Sequence, residues 1–229
     1  MITYDTKKYP FRDVVCEILE VDDLKTIHKI HYDENYKREN YLKGVGGALQ
    51  ETYFHKKFYE NKEKFLKIYR SFIKDVISKS FEESILYQST PTFRIQAHDS
   101  VSVIGLDHTE QSKQLGIEGL HRDEDYNHSD EEMNFFLPFV DTNSQNTVWA
   151  ESEPDKGDYS PFLLKYGEVK MWRGAKLMHG NVINMSGESR VSVDFRVLPI
   201  NRYDPESSRS SAEKGNKFVV GGYYTHSRV

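Results

Sequence analysis

The chain has 229 residues, a mass of 26.8 kDa and a formal net charge of −5 at pH 7. Its length suits one domain with a full-sized core, and its 15 Tyr and 13 Phe residues suit a core rich in β-sheet. The acidic balance excludes the basic surface that nucleic-acid binding needs, and no apolar run approaches the ~18 residues of a membrane span.

The chain carries a single cysteine, Cys16, which excludes an internal disulfide and a thiolate zinc site. The residues that follow Met1 include no apolar stretch of the kind found in secretory signals. We therefore expect a cytoplasmic protein that acts on a small molecule and interacts with neither nucleic acid nor a membrane.

The first predicted element is a strand over residues 10–21, which are rich in β-branched side chains and lie between a proline and two aspartates. One of those aspartates, Asp22 or Asp23, is expected to cap a short helix that continues to about His31. Residues 32–43 are crowded with charged and tyrosine side chains and receive no assignment.

Residues 48–81 follow a helical period. Apolar side chains recur at steps of three, four or seven residues, while Lys and Glu fill the opposite face. This pattern predicts a pair of amphipathic helices packed on a sheet. The alternative is a helix that binds a partner.

After residue 91 the period of the sequence changes to that of a β-strand. Short strands separated by Gly, Asn, Asp and Pro are typical of an antiparallel sandwich or barrel, and helices that precede strands argue against repeated βαβ units. The predicted strands lie at residues 92–96, 101–104, 132–140, 147–151, 168–172, 177–183 and 189–198.

These patterns predict a single domain over residues 1–229. An N-terminal strand and helices (1–90) precede a β core (91–199), and a tail (200–229) follows it. Residues 218–224 of the tail are apolar enough either to dock back onto the barrel or to form a lid.

The pattern His-x-Asp/Glu is a weak signal here because it occurs four times. Its histidines are His31, His108, His121 and His128. We favour His121 with Asp123, because this pair follows a short apolar run and precedes a polar loop, as ligands at the mouth of a barrel would. His128 with Asp130 is the alternative pair.

A third ligand has to come from further along the chain, where His179 and His226 remain. His179 lies in a strand-like run beside Gly180, which permits close approach of the backbone. His226 lies near the C-terminus, where fraying disfavours a rigid ligand. Two imidazoles and one carboxylate are the ligand set that holds non-haem Fe(II), so His121, Asp123 and His179 form the predicted metal site.

The strand predicted at 189–198, which we expect to adjoin that of His179, alternates between polar and apolar side chains. Arg190, Ser192, Asp194 and Arg196 share one face, and valine and phenylalanine form the other. The polar face is either exposed to solvent or lines a functional cavity, because a dry and unpaired polar face would be costly. In a cavity, Arg190 would bind a carboxylate through two hydrogen bonds, with the Ser192 hydroxyl as a further donor.

Together these residues resemble the pattern of the Fe(II)/2-oxoglutarate-dependent dioxygenases, which is His-x-Asp, a distal His and then Arg-x-Ser. The pattern is matched at His121, Asp123, His179, Arg190 and Ser192, and the likeness covers roughly residues 92–199. The compact length and the stretch Thr-Phe-Arg-Ile-Gln also resemble a small bacterial branch of that family. This branch includes streptomycin-biosynthesis-type hydroxylases and free-amino-acid hydroxylases and halogenases.

The resemblance implies a double-stranded β-helix (jelly-roll) core with helices packed on its major sheet. It also implies Fe(II) on the three ligands, with 2-oxoglutarate bound to the metal and to Arg190 and Ser192. The implied reaction uses O2, converts 2-oxoglutarate to succinate and CO2, and hydroxylates a substrate carbon, with ascorbate as the reductant in vitro. Halogenases of the branch carry Gly or Ala in place of the carboxylate ligand, so Asp123 points to hydroxylation.

Charged and polar side chains expected to face the cavity indicate the substrate. They are Arg94, Gln96, Glu118, Glu124, Asp194 and Arg196. Fixed anions and cations together suit a small zwitterion, such as a free amino acid or an amino-functional intermediate, that is hydroxylated at an unactivated carbon. Trp149 and Trp172 are predicted to be core residues.

Two other functions remain open at this point. A non-oxidative metalloenzyme, such as a zinc hydrolase or a cupin-type isomerase, would use the same three ligands but would leave Arg190 without a role. A jelly-roll binding module would need no metal. Desaturation or cyclisation, a carrier-bound substrate, and a monomeric or homodimeric state also remain open.

Overall fold

The computed structural model describes residues 1–30, 53–102, 109–207, 209–210, 215 and 217–227. Antiparallel strands dominate this part of the chain, and most of the helices precede them. The α-helices are α1 (Phe11–Leu19), α2 (Tyr53–Glu60), α3 (Glu63–Asp75) and α4 (Glu110–Leu115). Short 3-10 helices lie at Leu24–Lys29, Ile77–Ser80, Asp123–Tyr126 and Ile200–Arg202. None of the helices in the described ranges combines the length and apolarity that crossing a membrane requires.

The prediction of an opening strand at 10–21 is wrong, because these residues form α1. The helix buries one face, which consists of Phe11, Val14, Val15, Ile18 and Leu19. These steps of three, four, seven and eight residues are the spacing of a helical face. Burial of that face outweighs the β propensity of its valines and isoleucine.

The predicted cap and the predicted helix pair are both confirmed. The Asp23 carboxylate accepts the backbone N–H of Lys25 at 2.9 Å, at the start of the 3-10 helix Leu24–Lys29. Helices α2 and α3 fall inside the helical period of residues 48–81 and bury their apolar faces. The unassigned segment 32–43 and the first residues of the helical period lie outside the described residues.

Seven strands form an antiparallel sheet, called the large sheet here. They are β1 (Ile2–Thr3), β2 (Ile85–Gln88), β3 (Thr92–Gln96), β5 (Met133–Pro138), β8 (Glu168–Trp172), β10 (Arg190–Pro199) and β11 (Tyr224–His226). Their spatial order is β1-β8-β5-β10-β2-β11, and β3 pairs with the first half of β10. The long strand β10 therefore joins β5 on one side to β2 and β3 on the other.

Four further strands form a second antiparallel sheet, called the small sheet. They are β4 (Ile117–His121), β6 (Val148–Ala150), β7 (Ser160–Pro161) and β9 (His179–Val182), in the spatial order β4-β9-β6-β7. Six of the seven predicted strands after residue 91 coincide with strands of the two sheets. The exception is 101–104, where residues 101 and 102 lie outside any strand and residues 103–104 are not described.

Strand β10 separates the two faces of the large sheet. The apolar side chains of β10 are fully buried in the main core, where they pack with residues of α1, α2 and α3. These β10 side chains are Val191, Val193, Phe195 and Val197. Phe195 stacks on Phe135 of β5 with ring centroids 4.9 Å apart. The helices therefore cover this face, as predicted, and the polar face of β10 looks towards the small sheet across a cavity.

The end of the described chain packs on the edge of the large sheet. Strand β11 pairs with β2, and Phe218 and Tyr224 are buried in a small apolar cluster with two leucines. Residues 218–224, which the sequence predicts either to dock or to form a lid, thus contact the edge of the large sheet in this structure. Residues 217–227 are called the C-terminal segment below.

Candidate metal centre

Two histidines are paired across neighbouring strands of the small sheet. His121 ends β4, His179 begins β9, and their ring centroids lie 4.2 Å apart. The register shifts between Glu118 and His121, where Gly119 has a positive φ of 70°. Such a bulge re-aims the side chain that follows it, which brings the ring of His121 beside that of His179.

The backbone holds both imidazoles in the same tautomer. Nδ1 of His121 lies 2.6 Å from the Gly119 carbonyl oxygen, and Nδ1 of His179 lies 2.9 Å from that of Leu177. A carbonyl oxygen only accepts hydrogen bonds, so in the neutral form of each ring Nδ1 carries the proton and Nε2 keeps its lone pair. Burial, with a contribution from His121, lowers the pKa of His179 to about 3, so this imidazole is neutral at physiological pH. Both Nε2 atoms are thus prepared to bind a metal.

Asp123 completes the cluster from the 3-10 turn that follows β4. Its Oδ1 lies 3.9 Å from Nε2 of His121 and 3.8 Å from Nε2 of His179. All three ligand atoms lie within 4.8 Å of one another. Ligands held at about 2.0–2.2 Å from one metal ion are themselves roughly 3 to 4 Å apart, so the cluster fits one ion with a small adjustment. The donor set of two imidazoles and a carboxylate suits Fe(II).

The second carboxylate oxygen of Asp123 is already occupied by protein donors. Arg196 donates to Oδ2 from Nη2 at 2.7 Å and from Nε at 3.1 Å, and the Asn134 amide donates to the same oxygen. Burial opposes ionisation of Asp123, but the Arg196 guanidinium and the neighbouring histidines hold the pKa of this carboxyl well below its usual range. Asp123 therefore presents one anionic oxygen, Oδ1, to the metal position.

Arg190 is a buried cation without a carboxylate partner among the described residues. Only 1% of its surface is exposed, and no carboxylate there comes within 4 Å of it. Its Nη2 donates to the Ser102 hydroxyl at 2.8 Å, and its guanidinium carbon lies 5.1 Å from the centre of the Phe136 ring. Burial lowers the pKa of Arg190 to about 10, which leaves the guanidinium charged at neutral pH. A fixed, desolvated cation in a cavity is a site for an anion.

Two polar atoms beside this cation also lack partners. Nε of Arg190 and Oγ of Ser192 are buried and make no hydrogen bond to any described residue. Buried polar groups are normally paired, so the Nε of Arg190, a residue of the cavity wall, fits a ligand with oxygen acceptors. Ser192 is fully buried beside Arg190 but is not among the residues that line the cavity, whereas Ser102 is.

Both sheets line one cavity of about 480 Å³, a volume that includes the solvent at its mouth. The lining residues are Arg94, Ser102, His121, Asp123, Asn134, Phe135, Val148, Trp172, His179, Asn181, Arg190, Asp194 and Arg196. The predicted metal ligands and the predicted anion site therefore share a cavity.

Arg94 and Asp194 form an ion pair in the cavity wall. Nε of Arg94 lies 3.0 Å from Oδ2 of Asp194, and the side chains are 17% and 30% exposed. Nη1 of Arg94 is buried and has no hydrogen-bond partner among the described residues. The pair offers a substrate one cation and one anion side by side.

The structure does not place the predicted substrate residues Gln96, Glu118 and Glu124 on the cavity wall. Gln96 is fully buried, and its amide donates to the Val182 carbonyl oxygen at 2.8 Å, which ties it to the small sheet. Glu124 is paired with Lys176 at 3.2 Å on the outside of the turn that carries Asp123. Glu118 lies just before the bulge in β4, and its side chain is not among those that line the cavity.

Sequence reasoning missed several residues of the cavity. Trp172, predicted as core, lines it and meets the His179 ring edge-on with centroids 4.6 Å apart. Trp149 instead donates to the Ser144 carbonyl oxygen. Asn134, Ser102 and Asn181 were not considered. The sequence contains an indication for Asn134, because it is a polar residue in an otherwise apolar strand.

The other His-x-Asp/Glu patterns do not contribute to the cluster where they are described. His128 is buried against Glu132, and Asp130 is paired with Lys176 at 3.1 Å. The patterns that contain residues 31–33 and 108–110 fall partly or wholly outside the described residues. Among the described His, Cys, Asp and Glu residues, the group that could hold a metal is His121, Asp123 and His179.

The expectation that His179 and Arg190 lie on adjoining strands is wrong. Their strands are consecutive in the chain, but β9 belongs to the small sheet and β10 to the large sheet. Arg190 is instead paired with residues of β3. The two residues meet because the sheets face each other across the cavity.

Substitution of Gly180 tests whether the spacing of β4 and β9 sets the distance between the two histidine ligands. A Cβ at this position would lie 2.5 Å from the Glu118 carbonyl oxygen and 2.8 Å from Cγ2 of Ile117, so β4 would have to move away from β9. We expect Gly180→Ala to weaken metal binding about 10-fold or more, because His121 and His179 would be pushed apart, and titration with Co(II) measures this. The control Gly222→Ala, whose Cβ would meet nothing closer than 3.4 Å, should bind as the wild type does. Equal affinity in the Gly180→Ala protein would contradict the expectation.

No family model matches the chain. The chain is 30% identical over 223 residues to the streptomycin biosynthesis protein StrG of Streptomyces griseus, which covers 97% of this chain and 96% of StrG. Among solved structures, the non-heme monooxygenase ThoJ in its apo form matches with a TM-score of 0.50 and 10% identity, over 100% of this chain and 78% of ThoJ. CytC3 with Fe(II) and alpha-ketoglutarate matches with a TM-score of 0.43 and 13% identity, over 94% of this chain and 80% of CytC3. At such identity the likeness to ThoJ is a likeness of fold.

Proposed function

We propose that this chain, which belongs to the family of the streptomycin biosynthesis protein StrG within the Fe(II)/2-oxoglutarate-dependent dioxygenase superfamily, hydroxylates a small polar substrate. One observation carries the proposal: the buried cation Arg190, with no carboxylate partner among the described residues, lines the same cavity as the metal-ligand cluster. A metal site alone does not require such a cation. A metal site that works with an anionic co-substrate does.

His121, Asp123 and His179 would hold the iron. The backbone carbonyls on the two Nδ1 atoms fix the imidazoles, and Arg196 with Asn134 fixes the carboxylate, so the ligands are arranged before the metal arrives. Because Asp123 supplies a carboxylate, the ligand set is complete without an added anion such as chloride. This supports oxygen transfer over halogenation.

Arg190 would bind the distal carboxylate of 2-oxoglutarate, with the Ser102 hydroxyl of the cavity wall beside it. The unpaired Nε of Arg190 would then gain a partner. Iron and 2-oxoglutarate, when bound, supply the oxidising power that inserts an oxygen atom from O2 into a C–H bond while 2-oxoglutarate becomes succinate and CO2. The walls contributed by Phe135, Val148 and Trp172 keep bulk water away from the reacting atoms.

The architecture supports a double-stranded β-helix for residues 91–199. Two antiparallel sheets enclose the ligand cavity, the helices cover the outer face of the large sheet, and the small sheet supplies both histidines. Two facing antiparallel sheets are the layers that a jelly roll requires, and this supports the proposed core.

The substrate would be a small molecule that carries both charges, such as a free amino acid or an amino-functional intermediate. Arg94 and Asp194 are the partly exposed charges of the cavity wall that no metal or co-substrate role takes up. Separated by 3.0 Å, they can exchange their mutual ion pair for a carboxylate on Arg94 and an ammonium group on Asp194.

Succinate release tests the proposal as a whole. We expect the protein with Fe(II), ascorbate and 2-oxoglutarate to release succinate faster when an amino acid or related amino metabolite is present. Omission of iron should abolish the release. A protein that binds iron but never consumes 2-oxoglutarate, with or without added substrates, would contradict the proposal.

Replacement of Arg94 or Asp194 with alanine tests the substrate role. We expect kcat/KM for the substrate to fall about 10- to 100-fold, since a hydrogen bond to a charged group contributes roughly 1.5–3 kcal/mol. Uncoupled 2-oxoglutarate consumption should change much less. The control Lys165→Ala, which removes an exposed ion pair with Asp141, should change neither rate. Equal loss of both rates in Arg94→Ala would count against a substrate-binding role.

A further inference from the structure

A buried network behind Asp123 joins the metal ligand to the C-terminal segment. Arg196, whose side chain is 12% exposed, holds Oδ2 of Asp123 with two donors. Its third nitrogen, Nη1, lies 3.3 Å from the Tyr223 hydroxyl oxygen. A single guanidinium thus contacts both the predicted metal ligand and the end of the described chain.

Glu132 supplies a second carboxylate near this guanidinium. It is fully buried, and its Oε2 lies 3.7 Å from Nε of Arg196 and 2.8 Å from Nδ1 of His128. Its Oε1 accepts a hydrogen bond from the Tyr224 hydroxyl. Phe218 covers the His128 ring with centroids 4.5 Å apart. Three residues of the C-terminal segment, Phe218, Tyr223 and Tyr224, therefore support the network.

We propose that the C-terminal segment, acting through Arg196, positions the carboxylate of Asp123 for the metal. Arg196 and Asn134 keep Oδ2 occupied, so that Oδ1 alone is presented between the two histidines. Tyr223 and Glu132 keep the guanidinium in place. The inference rests on the proposed function, because it takes this cluster as the metal site. It assigns Arg196 a positioning role, whereas the sequence predicts that Arg196 contacts the substrate.

The strand register supports a positioning role. Arg196 of β10 is paired with Asn134 of β5, so the two residues that donate to Oδ2 are cross-strand neighbours on the floor of the cavity. The backbone N–H of Gly174 donates to the side-chain oxygen of Asn134 at 3.2 Å. The backbone N–H of Asp123 in turn donates to the carbonyl oxygen of Gly174 at 3.0 Å. A Cβ on Gly174 would lie 2.6 Å from the Asn134 amide nitrogen, so the fit leaves no room for another residue. The carboxylate is thus fixed through both its side chain and its backbone.

Anaerobic titration with Co(II) tests the inference without any substrate or turnover. Loss of a group that orients a metal ligand typically costs about 10- to 100-fold in metal affinity, and we expect that loss for Arg196→Met. Arg196→Lys, which keeps the charge but loses the two-point contact, should lie between Arg196→Met and the wild type. Tyr223→Phe should weaken binding only about 2- to 10-fold, because it removes one hydrogen bond donated by Arg196 but keeps the contacts of Arg196 with Asp123. The d–d spectrum should also change in Arg196→Met, because a released Oδ2 can join the metal.

The matched control is Tyr203→Phe. The Tyr203 hydroxyl accepts the backbone N–H of Val220 in the same C-terminal segment at 3.3 Å but does not contact Arg196. Its Co(II) affinity should stay within about twofold of the wild type. Tyr223→Phe retains the aromatic ring and the fold, so it remains informative even if Arg196→Met does not fold.

The outcomes separate the inference from the proposed function. A wild-type protein that binds no Co(II) contradicts the proposed function itself. A wild-type protein that binds Co(II), together with Arg196→Lys and Tyr223→Phe proteins whose affinity and spectrum are unchanged, overturns the positioning role alone. Equal weakening by Tyr203→Phe and Tyr223→Phe would also overturn it, since that result would indicate general loosening of the segment.

Discussion

His179→Ala is expected to lower metal affinity by well over 100-fold and to abolish 2-oxoglutarate consumption. Removal of a group that merely orients a ligand typically costs about 10- to 100-fold, so loss of a ligand itself must cost more. His121 and Asp123 would remain as ligands. Burial keeps the imidazole of His179 neutral, and no other described residue is placed to replace it as a ligand. Isothermal titration with Mn(II) or Co(II) measures the loss.

The control for this experiment is His226→Ala. His226 lies on β11 at the exposed edge of the large sheet, and its removal should leave metal affinity within about twofold of the wild type. Circular dichroism of both variants shows whether the fold is retained. Wild-type affinity in a folded His179→Ala protein would remove the basis for assigning the metal centre.

Arg190→Met is expected to weaken 2-oxoglutarate binding strongly while leaving the apoprotein as stable as the wild type, or more so. A buried cation without a counter-ion opposes folding, and its replacement by an apolar side chain of similar length is often neutral or stabilising. The bound co-substrate would lose a two-point contact to its carboxylate, worth about 2 to 5 kcal/mol, or roughly 30-fold or more in affinity. Thermal melting of the apoprotein and titration with 2-oxoglutarate measure the two effects separately.

Arg12→Met serves as the matched control, because Arg12 is a satisfied arginine away from the cavity. Its Nε donates to the Phe139 carbonyl oxygen at 2.6 Å, and its guanidinium stacks on Tyr166 at 3.9 Å. This variant should melt below the wild type and bind 2-oxoglutarate normally. A destabilised Arg190→Met protein with normal 2-oxoglutarate binding would show that Arg190 is a structural residue.

The metal-ligand cluster could be anticipated from the sequence because its signals are local. His121 and Asp123 are two residues apart, and the alternation along β10 places Arg190 and Asp194 on one face whatever the rest of the fold does. The order of helices and strands was likewise readable from periodicity. Residues 10–21 were misassigned, since the helical spacing of α1 competes with a high content of β-branched residues, and residues 101 and 102 of the strand predicted at 101–104 lie outside any strand.

The parts that were missed depend on which strands face each other. The pairing of Arg196 with Asp123 needs β10 and the turn after β4 to meet across the cavity, and nothing in either segment encodes that distance. The sequence predicts no strand at 117–121, and the bulge at Gly119 interrupts the alternation of β4, so the position of the Glu118 side chain could not be anticipated. Ser102 precedes residues 103–108, which are not described, and its contact with Arg190 spans 88 residues of chain.

The arrangement favours an oxygenase over the two other functions considered. A zinc hydrolase or an isomerase would use the three ligands but would leave the desolvated Arg190 without a ligand. A binding module would not need two imidazoles held with their lone pairs directed at one carboxylate oxygen. A metal and an anionic co-substrate in one cavity account for both features.

Anaerobic addition of Fe(II) and 2-oxoglutarate to the wild-type protein tests the central claim most directly. We expect a weak visible charge-transfer band that requires both components and is absent from His179→Ala and Arg190→Met, since the band arises when the co-substrate chelates the iron. A protein that binds Fe(II) but gives no such band at saturating 2-oxoglutarate would contradict the account.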